Sequence, residues 1–105
     1  MSHRYHDLVM YHSSRAADPA AMLEVGRALS CENRLTVLVA LLEGPSTVGT
    51  LVRHTGTSQP NVSNHLAVLR TSGLVTAEKV GRTVQYRLTS SEVASLVRAL
   101  IAVTS

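Results

Sequence analysis

The 105-residue sequence has no tryptophan and no phenylalanine, and its three aromatic residues, Tyr5, Tyr11 and Tyr86, are all tyrosine. Its core must therefore be assembled from Leu, Val and Ala. A single cysteine, Cys31, excludes an internal disulfide and suits a reducing cytoplasm. No apolar run approaches the ~20 residues a membrane-spanning helix needs, and the first residues lack the apolar segment of a signal peptide. The sequence has no Gly-x-Ser-x-Gly, no glycine loop that could cradle a phosphate and no clustered carboxylate pair, which excludes the common catalytic constellations. Internal repeats and low-complexity tracts are missing as well. What is present is 45% hydrophobic, enough for one folded domain and small enough to gain from dimerisation.

Charge is mild overall, +3, but unevenly placed. Between Thr47 and Leu88 stand five basic residues (Arg53, Arg70, Lys79, Arg82, Arg87) and one acidic, Glu78; the rest of the chain is slightly acidic. A basic segment of this kind fits a phosphate backbone, although a solvated surface would account for the charge alone equally well.

The stretch within that segment that separates the two readings runs from Gly56 to Leu74. Gly56 allows a tight turn, Thr57 or Ser58 can cap a helix, and Pro60 suits a first helical turn, where no N–H is needed. Val62, Leu66 and Leu69 recur at helical spacing and form a buried stripe, which Ala67 and Val68 are expected to widen. Gly73 stands where a left-handed cap belongs. The outward residues Gln59, Asn61, Ser63 and Asn64 are short and neutral, and both donate and accept hydrogen bonds. Solvated helix faces more often carry Glu and Lys, whereas a face of this kind can read base edges in a major groove. The stretch is therefore read as a recognition helix.

Residues 1–17 read as a flexible polar arm, and residues 18–105 as the folded domain. Asp18-Pro19 opens a first helix whose apolar side is marked by Met22, Val25, Gly26 and Leu29. A second follows from about Asn33, dense in Leu35, Leu38, Val39, Leu41 and Leu42, and ends at Gly44-Pro45. Ser46 or Thr47 caps a short third, with Val48, Leu51 and Val52 inward, and it closes at Gly56. Third helix, turn and recognition helix have helix-turn-helix proportions. After Gly73 the period becomes alternating. Two β-prone runs, Leu74–Glu78 and Thr83–Leu88, flank Lys79-Val80-Gly81-Arg82, the basic tip of a hairpin or wing. Thr89 with Glu92 reads as a capping box for a last helix, in which Val93, Leu96, Val97, Leu100 and Ile101 make an apolar stripe. The fold class is mainly α with a small β-hairpin, in the order α-α-α-α-β-β-α. So small a domain has little core for the whole last stripe, so part of it is expected to seal a second copy.

Three segments, "ALSCENRLTVLVALLEGP", "TVGTLVRHTGTSQPNVSNHLAVLRTSGLV" and "EKVGRTVQYRLT", together resemble the ArsR/SmtB winged helix-turn-helix regulators of bacteria across roughly Arg27 to Thr89. The resemblance implies a homodimer joined through the first and last helices, binding an inverted repeat of operator DNA. It also implies ligand-controlled transcription, most often by a metal ion that weakens DNA binding. On this reading Gln59, Pro60, Asn61, Ser63, Asn64 and His65 of the recognition helix, with Lys79 and Arg82 of the wing, contact DNA. Pro60 and Asn64 depart from the Ser and His common in the family.

The metal sites familiar in the family are vacant. Where some members carry Cys-x-Cys on the third helix, this chain has Thr47-Val48-Gly49-Thr50; where others carry Asp-x-His early in the last helix, it has Ser91-x-Val93. No His or Cys follows His65, the recognition helix has no cysteine, and Cys31 stands where the family usually has Asp. What remains is the arm, with His3, His6 and His12 and with Asp7 beside them. In a helix, His3, His6 and Asp7 would share one face, and imidazole with carboxylate suits Ni or Zn. Some nickel-sensing members are similar in using an N-terminal amine and an adjacent His, and Ser2 is small enough for Met1 to be removed. A polar arm with incidental histidines is the plainer alternative. His65 reads as a packing or phosphate-contacting residue rather than a ligand, His54 as a helix-end residue, and Cys31 as a small buried hydrophobe. The expectation is a non-catalytic, cytoplasmic transcriptional regulator with Ni or Zn as effector and no cofactor required for folding. Control by a partner protein or by thiol chemistry at Cys31, and a protein-interaction module without DNA, are the alternatives.

Overall fold

In the computed structural model the described residues are 16–105. Asp18 caps helix α1 (Pro19–Leu29): its Oδ1 accepts from the amides of Ala20 (3.2 Å) and Ala21 (3.4 Å). Helix α2 (Glu32–Leu41) starts one residue earlier than its spacing suggests, behind Cys31, whose side chain makes no capping bond. Thr47 caps α3 (Val48–Thr55), accepting at Oγ1 from Thr50 N–H at 3.3 Å. Gly56 ends α3 with φ +69°, a left-handed conformation that Gly adopts without steric cost. Helix α4 (Gln59–Thr71) follows, and then Gly73, also left-handed at φ +81°.

Strands β1 (Val75–Val80) and β2 (Thr83–Leu88) pair antiparallel, from Val75↔Leu88 to Val80↔Thr83. The loop is thus only Gly81-Arg82, with positive φ at its first residue alone, as a type II′ turn requires. Lys79 is consequently not at the tip: it lies within β1, opposite Val84. The last helix, α5 (Ser91–Thr104), is capped by Ser90, whose Oγ accepts from Val93 N–H at 3.2 Å. The expected cap, Thr89, is otherwise engaged. Its amide donates to Leu74 O at 3.1 Å, and its hydroxyl lies 3.2 Å from that of Thr76. The order α-α-α-α-β-β-α is the one read from the sequence.

The core is aliphatic, as the missing Phe and Trp require. Leu38, Leu51, Leu66, Leu69, Val37 and Val62 are its largest fully buried side chains, drawn from α2, α3 and α4. Ala28 joins them from α1, Leu74 and Val75 from the start of the hairpin, and Val97 from α5; no buried residue among those described is polar. Ala67 and Val68 do not widen the buried stripe of α4. At 100° per residue they rotate past the seam onto its flank, where Val68 is 41% exposed. There they line a cleft of about 350 Å³ that also touches Glu24, Arg27 and Ala28 of α1.

The first and last helices keep apolar residues outside. Met22 (63% exposed) and Leu23 (54%) project from α1, and Ile101 (41%) and Val103 (83%) from α5. Of the α5 stripe only Val97 is buried, with Val93, Leu96 and Leu100 half-buried. Val39 on α2 is likewise open, and it shares an apolar cleft of about 240 Å³ with Leu35, Leu100 and Ile101.

Candidate nucleic-acid interface

Helix α4 is presented by a turn whose groups bond to one another. Gly56 N–H donates to Val52 O at 2.8 Å, and Thr55 Oγ1 donates to Leu51 O at 3.0 Å and accepts from Thr57 N–H at 3.4 Å. Ser58, rather than Thr57, is the cap, its Oγ accepting from Asn61 N–H at 3.3 Å. Thr57 instead accepts from Asn61 Nδ2 at 3.0 Å, so one Asn61 donor is committed to the turn while its carbonyl oxygen stays free of that bond. These contacts order the turn between α3 and α4.

With Val62, Leu66 and Leu69 locked into the core, Gln59, Pro60, Asn61, Ser63 and Asn64 all face outward and His65 is half-buried. The first two turns of α4 thus expose amide and hydroxyl groups to solvent. All five basic residues of the central segment, Arg53, Arg70, Lys79, Arg82 and Arg87, are exposed. Arg53 sits on α3, where its NH2 donates to Thr50 Oγ1 at 3.0 Å, beside the exposed His54. Arg70 lies on the last turn of α4, and Lys79 and Arg82 belong to the wing.

Two features were not read from the sequence. Ser46 pairs with Tyr86, so the loop before α3 adds a short third edge to the wing. Arg34 of α2 reaches the half-buried His65 of the recognition helix, NH1 to Nδ1 at 3.5 Å. Both are long-range pairings that no local pattern announces.

Among the described residues no group of three or more His, Cys, Asp or Glu could hold a metal ion. His3, His6, Asp7 and His12 lie outside the described residues. Cys31 is free and half-buried.

Comparison with known proteins gives a consistent answer. The family model for bacterial regulatory proteins of the arsR family matches residues 31–77. The HTH-type transcriptional regulator CmtR of Mycobacterium tuberculosis is 44% identical over 84 residues, which span 80% of this chain and 71% of CmtR. The solution structure of CmtR, a cadmium metal-sensor, is similar with a TM-score of 0.68 over 78% of this chain and 85% of that one. A homodimeric winged helix-turn-helix DNA-binding domain from Mycobacterium bovis, 30% identical, reaches a TM-score of 0.77 over 81% of this chain and 79% of its own.

Proposed function

The chain belongs to the ArsR family of bacterial transcriptional regulators, which are not enzymes, and from that premise we propose that it binds operator DNA as a homodimer under the control of a transition-metal ion. The observation that carries the DNA reading is the exposed, neutral face of Gln59, Asn61, Ser63 and Asn64 on a helix flanked by exposed Arg and Lys. In this reading that face enters the major groove, and Pro60 and His65 complete the contact surface. Lys79 and Arg82 of the wing meet phosphates or the adjacent minor groove.

The homodimer is supported by the open apolar residues of α1 and α5, which a two-fold axis would bring onto their own copies. One relative of similar fold is itself homodimeric. Such an axis sets two recognition helices about one DNA turn apart, roughly 34–36 Å, on an inverted repeat. The cytoplasm is the matching compartment.

Effector control is assigned to residues 1–17, an arm ahead of the 18–105 domain. His3, His6, Asp7 and His12 supply imidazole and carboxylate donors, a set suited to Ni or Zn, while the described domain offers no cluster of its own. A similar protein being a cadmium sensor supports metal control in general but not this donor set, which has no thiolate.

The test is a fluorescence anisotropy titration of the chain with DNA from upstream of its own coding region, with and without NiCl2 or ZnCl2. Salt-dependent binding to an inverted repeat, altered by one of the metals, is the expected result. No preference for that DNA over random duplex would turn the reading toward a protein-interaction module.

A further inference from the structure

The end of α1 and His65 of α4 meet at one side chain. Arg34, in the first turn of α2, donates from Nε to Ala28 O at 2.8 Å and from NH2 to Arg27 O at 3.1 Å. Both carbonyls belong to the last turn of α1, and that of Arg27 also accepts from the N–H (3.2 Å) and Oγ (2.8 Å) of Ser30. The fork thus holds the guanidinium plane in place, and its NH1 reaches His65 Nδ1 at 3.5 Å, the long limit of a hydrogen bond.

The chemistry of this contact has one direction. A guanidinium has five N–H groups and no acceptor, so His65 Nδ1 must receive the bond. A neutral imidazole that accepts at Nδ1 carries its proton at Nε2. Nε2 has no partner among the described residues, and no buried side-chain nitrogen or oxygen there is left unpaired. On this half-buried residue Nε2 therefore reaches the surface. His65 stands one helical turn along α4 from Asn61, on the side that presents the amide face.

We infer that Arg34 is a positioning residue for DNA recognition: by occupying Nδ1 it fixes the tautomer of His65 and turns Nε2–H outward as a donor to a DNA acceptor. That acceptor is a phosphate oxygen or a purine N7 or O6 edge, both of which take a single N–H donor. The inference rests on the DNA-binding reading above and adds the residue that prepares the donor. Arg34 itself touches no DNA in this scheme. Its two bonds to α1 make the ring's orientation depend on where that helix ends.

The experiment uses the full chain. Long-range 1H–15N correlation spectra at pH 8, without DNA, report which ring nitrogen of His65 carries the proton. The wild-type protein is expected to show the Nε2–H form, and Arg34→Met a mixture of tautomers in a folded chain. On operator DNA, His65→Gln, whose amide reaches the Nε2 position, should bind within about threefold of wild type. His65→Asn, whose amide reaches only the Nδ1 position, should lose roughly tenfold, the worth of about one hydrogen bond. An equal loss on operator and random DNA marks a phosphate; a loss confined to the operator marks a base edge. An Nδ1–H tautomer in the wild type overturns the inference, as does a folded Arg34→Met with the tautomer unchanged, or Asn binding as well as Gln. If Arg34→Met does not fold, the wild-type tautomer and the Gln/Asn pair decide. Failure of the wild type to bind any DNA overturns the regulator reading, and the role of His65 on DNA with it.

Discussion

Ser46 and Tyr86 exchange both of their backbone hydrogen bonds: Ser46 N–H donates to Tyr86 O at 2.9 Å, and Tyr86 N–H donates to Ser46 O at 2.8 Å. A two-stranded hairpin is marginal by itself in water, so this pair, one residue before the Thr47 cap of α3, ties the wing to the helix-turn-helix. The half-buried Tyr86 ring packs against the aliphatic core from the same position. The wing is therefore held at two places: by Leu74 and Val75 at its base, and by Ser46 along β2.

Ser46→Pro removes one of the two donors and leaves the Tyr86 carbonyl unpaired. A loss of about 1–3 kcal/mol is expected, read as a lower urea midpoint with an unchanged slope. Operator affinity should fall with it, since Arg82 rides on the hairpin. Stability within ~0.5 kcal/mol of wild type would mean that the bridge contributes little.

The features recovered from the sequence were those fixed by neighbours within a few residues. Asp18, Gly56 and Gly73 each act on groups two to four positions away, so residue type and spacing were enough to place those helix ends, whereas Ser46 and Thr47 were left as alternatives until the pairing of Ser46 with Tyr86 left the cap to Thr47. Thr89 and Ser90 show the limit of that logic. Both are hydroxyls at an acceptable spacing, and only the contacts of Thr89 with Leu74 and Thr76 leave the cap to Ser90. Val68 misleads for a related reason: apolar type marks a stripe, but the packing of α4 against α3 decides where its edge falls. Arg34 reads as an ordinary charge in the sequence because its acceptors lie six, seven and thirty-one residues away.

Two glycines should respond in opposite directions. Gly56→Ala places a Cβ at φ +69° and is expected to destabilise by roughly 1–2 kcal/mol, although nothing crowds the site. Gly49 lies in helical backbone on α3 with only Thr47 Oγ1 nearby, 3.9 Å from an added Cβ. Gly49→Ala should stabilise by about 0.5 kcal/mol through helix propensity and a less free unfolded chain. Thermal melts of the two variants against wild type decide it, and equal shifts would contradict the local account.

In the proposed dimer through α1 and α5, Ile101 is a sensitive position. Ile101→Glu puts a charge on a face expected to be apolar and covered, so the variant should run as a monomer by light scattering at micromolar concentration. Its affinity for a full inverted repeat should drop toward that for a half-site. A variant that remains dimeric would place the contact elsewhere.

Phosphate and base contacts should separate cleanly on DNA. Arg82→Ala, at the exposed wing tip, is expected to weaken binding alike on operator and random DNA and to reduce the salt slope by about one unit. Gln59→Ala or Asn64→Ala should instead lower the preference for the operator, each by about 1–3 kcal/mol. If Gln59→Ala leaves that preference intact, the first turn of α4 does not lie against base edges.

The arm is tested by removing it. Deletion of residues 1–12 takes away His3, His6, Asp7 and His12 together, while five residues, 13–17, remain ahead of Asp18, the cap of α1. Dimerisation and operator binding should therefore survive, and Ni or Zn binding by calorimetry should vanish. Imidazoles ligate only when neutral, so the intact chain should lose metal affinity as pH falls through the ordinary histidine range near ~6.5. Coupling to DNA requires the metal-bound arm to favour one of the free and operator-bound dimers, typically by about 1–3 kcal/mol, or roughly five- to 150-fold in operator affinity. That change should be absent from the truncated protein at any metal concentration. If the truncated chain still binds either metal tightly and still responds on DNA, the arm is not the sensor. The donors would then have to come from Cys31, His54 and His65, which form no cluster within one described chain.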